Sequence, residues 1–326
     1  MPSNTTWVAD VSFFTSAAYL GCLLMIVVLG AAGNLMICIT ITLDKKLQTI
    51  TNYFLFSLSM ADLLISVFVL PARYFTQTIK LDSSTFYLCP IYAGADDYLK
   101  GVSTFHICSI SLERYSAIKN PLSRSKPTRG RLIGRVLLVW LSSFIIFLPL
   151  YVTVVLFGPY PESPDYCSAE FALLKYFKVV VATEVLIIYF MVAVVGYTTI
   201  GTVSVLSRLA WEQKKSKVGS RMGMVRNVPA GNSNKNSSRP QVQESEKKAL
   251  KVVWILSFVF IIDLLPYGFV NTLFLIFPSL QLPTVMYTVS TYLTYCNSVI
   301  NPIVYTIFNR RFRKNFKNIL LMRFKE

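Results

Sequence analysis

VSFFTSAAYLGCLLMIVVLGAAGNLMICITITL, residues 11–43, contains no charged side chain. A helix needs about 20 predominantly apolar residues to cross the hydrocarbon of a bilayer, so this stretch alone is long enough to span one. Working outward, comparable runs occupy roughly 48–72, 86–112, 136–157, 174–207, 252–277 and 283–308. Only Asp62, the cluster Asp96, Asp97 and Lys100, then Lys175, Lys178, Glu184 and Asp263 interrupt them. Each run is continuously apolar rather than alternating, and backbone inside hydrocarbon must satisfy its own hydrogen bonds, so the spans are read as helices. The expected fold class is an all-α membrane protein: a seven-transmembrane helix bundle forming one domain over residues 1–326. A hydrophobic content of 54% and a mean hydropathy of +0.52 argue against an ordinary soluble domain.

The basic residues orient the bundle. With residues 1–16 outside as an extracellular N-terminus, 27 of the 32 Lys and Arg residues fall on cytoplasmic segments, and only Arg73, Lys80, Lys175 and Lys178 face out, with Lys100 buried. This follows the positive-inside rule. The net charge of +16 is therefore a topology signal. A nucleic-acid footprint is set aside because the charge is divided among four membrane-adjacent segments. The N-terminus lacks the basic region and cleavage site of a signal peptide, so the first span is expected to direct insertion itself. Asn4-Thr5-Thr6 is a glycosylation sequon on the outer side. Four of the six cysteines, Cys22, Cys38, Cys108 and Cys296, lie within spans, while Cys89 and Cys167 both fall on the outer side. In an oxidising compartment those two can pair; the alternative is two free thiols.

Between spans five and six, residues 209–245 are rich in Asn, Ser, Gly and charge and are expected to be a disordered third cytoplasmic loop. After the last span, residues 309–326 read as a short amphipathic helix and tail. Phe308, Phe312, Phe316, Ile319 and Leu320 share one face and basic residues cover the rest, as on a helix lying against the inner leaflet. No internal repeat of the kind seen in secondary transporters is visible.

Polar residues sit at set depths in these spans: Gly33-Asn34, LSMAD ending at Asp62, Cys89, Glu113-Arg114-Tyr115, Trp140, Cys167, Tyr197, Pro266, and NPIVY at Asn301 to Tyr305. In this order, one set per span, they resemble the rhodopsin-like (class A) G-protein-coupled receptors along almost the whole chain. ICSISLERYSAIKNPLSRSK (107–126) and NYFLFSLSMADLL (52–64) look most like the serotonin-type biogenic amine receptors. The resemblance implies a heterotrimeric G protein as partner, with arrestin, receptor kinases and membrane lipid as further ones, and a plasma-membrane location.

Arg114 ends span three and Glu246 begins span six, so an ion pair between them is able to hold the cytoplasmic ends together. By resemblance the activation switch also includes Glu113, Tyr115, Tyr197, Asn301, Pro302 and Tyr305, with Pro302 removing a backbone hydrogen bond beside Tyr305. Asp62 lies mid-membrane, where an ionised side chain costs about 2.5–3.5 kcal/mol on insertion scales. By resemblance Asp62, Ser103, Asn297, Ser298 and Asn301, with Asn34 nearby, surround a hydrated allosteric sodium ion. All offer oxygen, as a hard cation requires. No other cofactor is expected.

Counting back five helical turns from Arg114 reaches Asp96. By resemblance this carboxylate pairs with a ligand's ammonium, with Tyr267, Tyr292 and Tyr295 boxing the cation and with Asp97, Lys100, Asn271 and Thr291 completing the ligand-binding set. At about 100° per residue Lys100 lies between Asp96 and Asp97 and can reach either. It either neutralises Asp97 and leaves Asp96 vacant for ligand, or satisfies Asp96 as an internal ion pair. Acids within the spans outnumber Lys100, so the set cannot all be ionised and unpaired.

The sequence departs from the family's pattern in FIIDLLPY (260–267), where Asp263 and Leu264 replace the usual Cys-Trp pair, and at Tyr189, where span five usually has proline. The functional expectation is a receptor for an extracellular cationic ligand, a biogenic amine such as serotonin. The alternatives are an orphan or peptide-binding receptor with Asp96 paired to Lys100 and, more remotely, an ion or proton transporter. An enzyme is not expected: the lone His106 lies in an apolar span.

Overall fold

The computed structural model describes residues 17–78, 88–119, 129–157, 175–223, 244–280 and 282–321. Among them the chain forms helix α1 (Ala17–Leu43), then a short turn of helix (Lys45–Leu47). Helix α2 follows as Ile50–Leu64, one π-helical turn at Ile65–Val69, and Leu70–Thr78. After it come α3 (Leu88–Lys119), α4 (Arg129–Phe157), α5 (Lys175–Gly223), α6 (Glu244–Ile276), α7 (Thr284–Phe308) and α8 (Arg310–Leu320). The seven long helices correspond to the seven expected spans. Five contain stretches long and apolar enough to cross a membrane: Ala17–Leu43, Ile50–Phe75, Gly130–Leu148, Lys178–Arg208 and Trp254–Ile276. The other two, α3 and α7, are less apolar because they carry most of the polar residues of the site. Asn4 and Cys167 lie outside the described residues, as does the side chain of Cys89, so the glycosylation and disulfide expectations fall there too.

Helix α5 differs from expectation by continuing to Gly223, well into the segment read as a disordered loop from residue 209. Its extension, LAWEQKKSK, is built of strong helix formers and meets no glycine until Gly219. A helix leaving the bilayer continues while its residues favour it. Likewise α3 runs past residue 112, through Glu113-Arg114-Tyr115, to Lys119.

Helix α3 is the hub and touches α2, α4, α5 and α6; α1 and α7 close the ring against each other. Buried apolar clusters lie at three levels. One surrounds Leu99, Val102 and Tyr295, one surrounds Phe54, Ile107 and Phe260, and one at the Arg114 end surrounds Ile37, Leu55, Tyr305 and Phe312. The outward faces carry Phe68, Ile145 and Leu186, each more than 60% exposed, as a lipid-facing surface requires. Bundles in lipid gain by letting backbones approach closely at small residues. A Cβ on Gly33 would lie 2.7 Å from Pro302 of α7, and one on Gly101 would lie 2.6 Å from Ser143 Oγ and strike Phe147 of α4. Gly101→Ala is therefore expected to push α3 from α4 and cost about 1–3 kcal/mol, read as a lowered Tm of the purified protein. An unchanged Tm would mean that α4 gives way freely.

Helix α8 is set by its cap and its tether. The Asn309 side chain accepts from the backbone N–H groups of Arg311 and Phe312. Phe312 is fully buried and packs on the Tyr305 ring at 5.8 Å. Arg311 Nη2 donates to Asp44 Oδ1 and Asn315 Nδ2 to Asp44 Oδ2, both at 2.8 Å. The Arg311 bond, aided by Asn315, holds the Asp44 carboxyl down to about 2, against a smaller opposing effect of burial. A depressed carboxylate contributes its stability above its ordinary value of about 4 and loses it as pH falls through the depressed one, so this tether is intact at neutral pH.

Candidate functional site

Three polar centres follow the length of α3. The middle one is Asp62, fully buried on α2. Its Oδ1 accepts from Ser103 Oγ of α3 at 2.9 Å and Ser298 Oγ of α7 at 3.0 Å, and its Oδ2 accepts from Asn301 Nδ2 at 3.0 Å. Asn34 Nδ2 donates to the Ser298 and Gly30 carbonyls at 2.8 and 2.9 Å, which brings α1 into the network. The π-helical turn begins three residues after Asp62, and Ser66 Oγ donates to the Asp62 carbonyl at 2.8 Å. Asn297, half-buried, is not among the donors to Asp62 in the described residues. Asn34 Oδ1 and Asn301 Oδ1 are buried with no hydrogen-bond partner. Two unpartnered amide oxygens beside a carboxylate fit the oxygen set that a hard cation takes.

The second centre is Asp96, 3% exposed. Its Oδ2 accepts from Lys100 Nζ at 2.8 Å and Tyr295 Oη at 2.7 Å, and Arg73 Nη1 of α2 lies 3.5 Å away. Lys100 Nζ stands 4.6 Å from the centre of the Tyr295 ring and 5.5 Å from that of Tyr267. The Arg73 guanidinium lies 6.0 Å from the Tyr292 ring, whose hydroxyl is hydrogen-bonded to that of Tyr19. The tyrosines read as a box for a ligand's cation thus surround cations of the protein itself.

Of the two sequence readings of Lys100, the structure takes the one in which it bonds Asp96, and Asp96 is not wholly vacant. Glu184 of α5 is an electrostatic neighbour of Asp97, and Tyr267 Oη donates to Glu184 Oε2 at 3.1 Å. Asp96 Oδ1 and Asn271 Nδ2 are buried with no hydrogen-bond partner. The Thr291 hydroxyl is spent on the Tyr287 carbonyl of its own helix, at 2.9 Å. Sequence reasoning missed Arg73 and Tyr19 as members of this centre and did not place Glu184 beside Asp97. The available signal for Arg73 was a lone cation at the apolar end of its span. Asp263, 4% exposed on α6, makes no hydrogen bond to either network among the described residues, and its Oδ2 is unpartnered.

At the third centre, Arg114 donates to the Thr51 hydroxyl of α2, and Arg135 Nη1 of α4 lies 3.1 Å from Glu113 Oε2. Tyr115 and Tyr197 pack ring to edge at 6.1 Å, with Tyr197 68% exposed. Tyr305, by contrast, is buried against Phe312, and its hydroxyl has no hydrogen-bond partner. Pro302 is accommodated inside α7, where Thr306 Oγ1 donates to its carbonyl at 2.8 Å. Glu246 lies on α6, but its side chain is outside the described residues, and the expected pair with Arg114 falls there.

Comparison with known proteins agrees with a bundle of membrane-spanning helices. The chain is similar to octopamine receptor beta-2R of Drosophila melanogaster, 28% identical over 333 residues that cover 93% of this chain and 61% of that protein. It is also similar to 5-hydroxytryptamine receptor 2C of Homo sapiens, 28% identical over 336 residues covering 93% of this chain and 72% of that protein. To 5-hydroxytryptamine receptor 2B of Dichotomyctere fluviatilis it is 27% identical, over 356 residues covering 93% and 75%. Residues 33–305 match the 7 transmembrane receptor (rhodopsin family), the stretch that runs from the Gly33 contact in α1 to Tyr305 in α7. The chain belongs to that family, and is a receptor rather than an enzyme.

Proposed function

We propose that the chain is a plasma-membrane receptor, N-terminus outside, that receives an extracellular ligand bearing one positive charge, a biogenic amine, and activates a heterotrimeric G protein. The observation that carries the reading is Asp96 Oδ1, a buried carboxylate oxygen with no hydrogen-bond partner among the described residues. A buried acceptor left unmade costs about 1–3 kcal/mol, which a charge-assisted bond to ammonium would recover. Relatives named for octopamine and 5-hydroxytryptamine support the same ligand class. Asp96, Asp97, Lys100, Tyr267, Asn271, Thr291, Tyr292 and Tyr295 line the proposed site. Ligand binding favours a state in which Arg114 leaves Thr51 on α2 and its proposed partner Glu246 on α6, by no more than the ligand's differential affinity for the two states. Sodium at Asp62, held with Asn34, Ser103, Ser298 and Asn301, would stabilise one of these states.

A second reading, a peptide receptor in which Asp96 is satisfied internally, is favoured by the Lys100–Asp96 bond. A panel of amines and of peptides applied to cells expressing the chain, with calcium and cyclic-nucleotide readouts, separates the two. Responses to amines alone are expected. Responses to peptides alone, or ion currents without second messengers, would overturn the amine assignment.

A further inference from the structure

The chain surrounds Lys100 with the chemistry that recognises a free ammonium ion. Lys100 Nζ donates to Asp96 Oδ2 at 2.8 Å, and it faces the Tyr295 ring at 4.6 Å and the Tyr267 ring at 5.5 Å. A carboxylate together with aromatic faces within about 6 Å is what holds a ligand's cation. Tyr295, 1% exposed, also donates to Oδ2 at 2.7 Å, so one bond fixes that ring against the carboxylate. A seat for an ammonium group is therefore assembled, and an ammonium of the chain itself occupies it.

Two features separate this contact from a pair kept only for stability. Asp96 Oδ1 is buried with no hydrogen-bond partner among the described residues, although a side chain with three donors sits on the other oxygen. Asp96 and Lys100 are also one turn apart on the same helix, so the bond between them joins α3 only to itself. Lysine carries its charge on a flexible four-carbon stem, and it leaves Asp96 by turning that stem, with no helix required to move. Asp97 stands three residues before Lys100, a spacing at which side chains on a helix meet. A carboxylate offers about four acceptor positions, so Asp97 is able to receive the ammonium in addition to the contacts it already has.

We propose that Lys100 is a tethered competitor in the ligand's ammonium seat, and that an amine binds by displacing it from Asp96 to Asp97. In the bound receptor the ligand's ammonium replaces Lys100 at Asp96 Oδ2, bonds Oδ1 as well, and lies against the faces of Tyr295 and Tyr267. The two arrangements that helix spacing allows for Lys100 are thus two states of one receptor, free and occupied. This rests on the cationic-ligand reading and deepens it, because Lys100 becomes the residue that sets which cations enter. A ligand is admitted only when its cation holds Asp96 better than the chain's own does.

The test measures binding of octopamine and 5-hydroxytryptamine to the full chain in phospholipid nanodiscs, with the Tm of each ligand-free variant as the check on folding. Minor states of a protein are populated at about 0.1–10%, so a seat that empties only in such a state weakens apparent affinity about tenfold or more. Lys100→Met removes the competitor and leaves Asp96 with Tyr295 and Arg73. It is expected to bind both amines at least about tenfold more tightly than wild type. Lys100→Gln, which keeps a neutral donor for Asp96, is the second variant and is expected to fall between the two. Asp97→Asn takes away the carboxylate to which Lys100 moves. It is expected to weaken binding about tenfold in the wild-type background and to change it little in the Lys100→Met background, a coupling inside the range found between contacting residues.

Amine binding that both Lys100 variants leave unchanged or weakened would overturn the displacement while the cationic-ligand reading stands. Equal weakening by Asp97→Asn in the two backgrounds would do the same, since it would show a through-space effect of charge in place of a move to Asp97. Failure of both Lys100 variants to fold would make the ion pair structural and overturn the displacement too. Folded wild type and folded Lys100→Met that bind neither amine would overturn the cationic-ligand reading itself, and the displacement with it.

Discussion

Asp96→Ala is expected to lower the stability of the ligand-free receptor by roughly 3–5 kcal/mol, the usual cost of stripping one partner from a buried ion pair. Two cations depend on this carboxylate: Lys100, whose side chain is 16% exposed, and Arg73, at 11%. Without Asp96, Lys100 would retain only the faces of Tyr267 and Tyr295 and the pull of Asp97. Lys100→Met in the Asp96→Ala background is expected to restore most of the loss, because a flexible apolar chain replaces an ammonium that has lost its hydrogen-bonded carboxylate. The measurement is thermal unfolding of the purified receptor without ligand, for wild type, both single variants and the double. An aspartate kept only to meet a ligand predicts wild-type stability for Asp96→Ala, and that result would refute its structural role. Non-additivity in the cycle reports the Asp96–Lys100 coupling directly.

The second large effect is expected at Asp62. Asp62→Leu removes the carboxylate to which Ser103 Oγ, Ser298 Oγ and Asn301 Nδ2 donate, their one hydrogen-bond acceptor among the described residues. Each buried donor so orphaned costs about 1–3 kcal/mol, so the variant should lose several kcal/mol and α2, α3 and α7 should separate at this level. Asp62→Asn retains size and one oxygen and should cost less. It also discards the charge on which sodium binding depends. Replacing sodium chloride by choline chloride is then expected to lower the Tm of wild type and leave that of Asp62→Asn where it was. Equal salt responses would show that the Asn34 and Asn301 oxygens do not hold a cation with Asp62.

The bundle was legible in the sequence for a simple reason. Lipid demands long apolar helices with internally bonded backbones, so seven long apolar runs announce seven helices whatever their packing, and basic flanks announce their direction. Depth along a helix was legible too, since rise per residue is constant: Asp62, Asp96 and Arg114 lie on three successive levels. Helix ends were less so. The spans mark where hydrocarbon stops, whereas α3 and α5 run on beyond it, to Lys119 and Gly223 among the described residues.

Tertiary structure alone decided who partners whom. Lys100 lies within reach of two acids on its own helix, and periodicity cannot rank them. The structure places Lys100 on Asp96, where Arg73 joins it from another helix. Arg114 on Thr51, and Arg311 on Asp44 267 residues away, are choices of the same kind. Side-chain spacing states which face of a helix is polar. Which other face meets it, and which protons and charges then balance, depends on how the helices pack, and that is a property of the whole bundle.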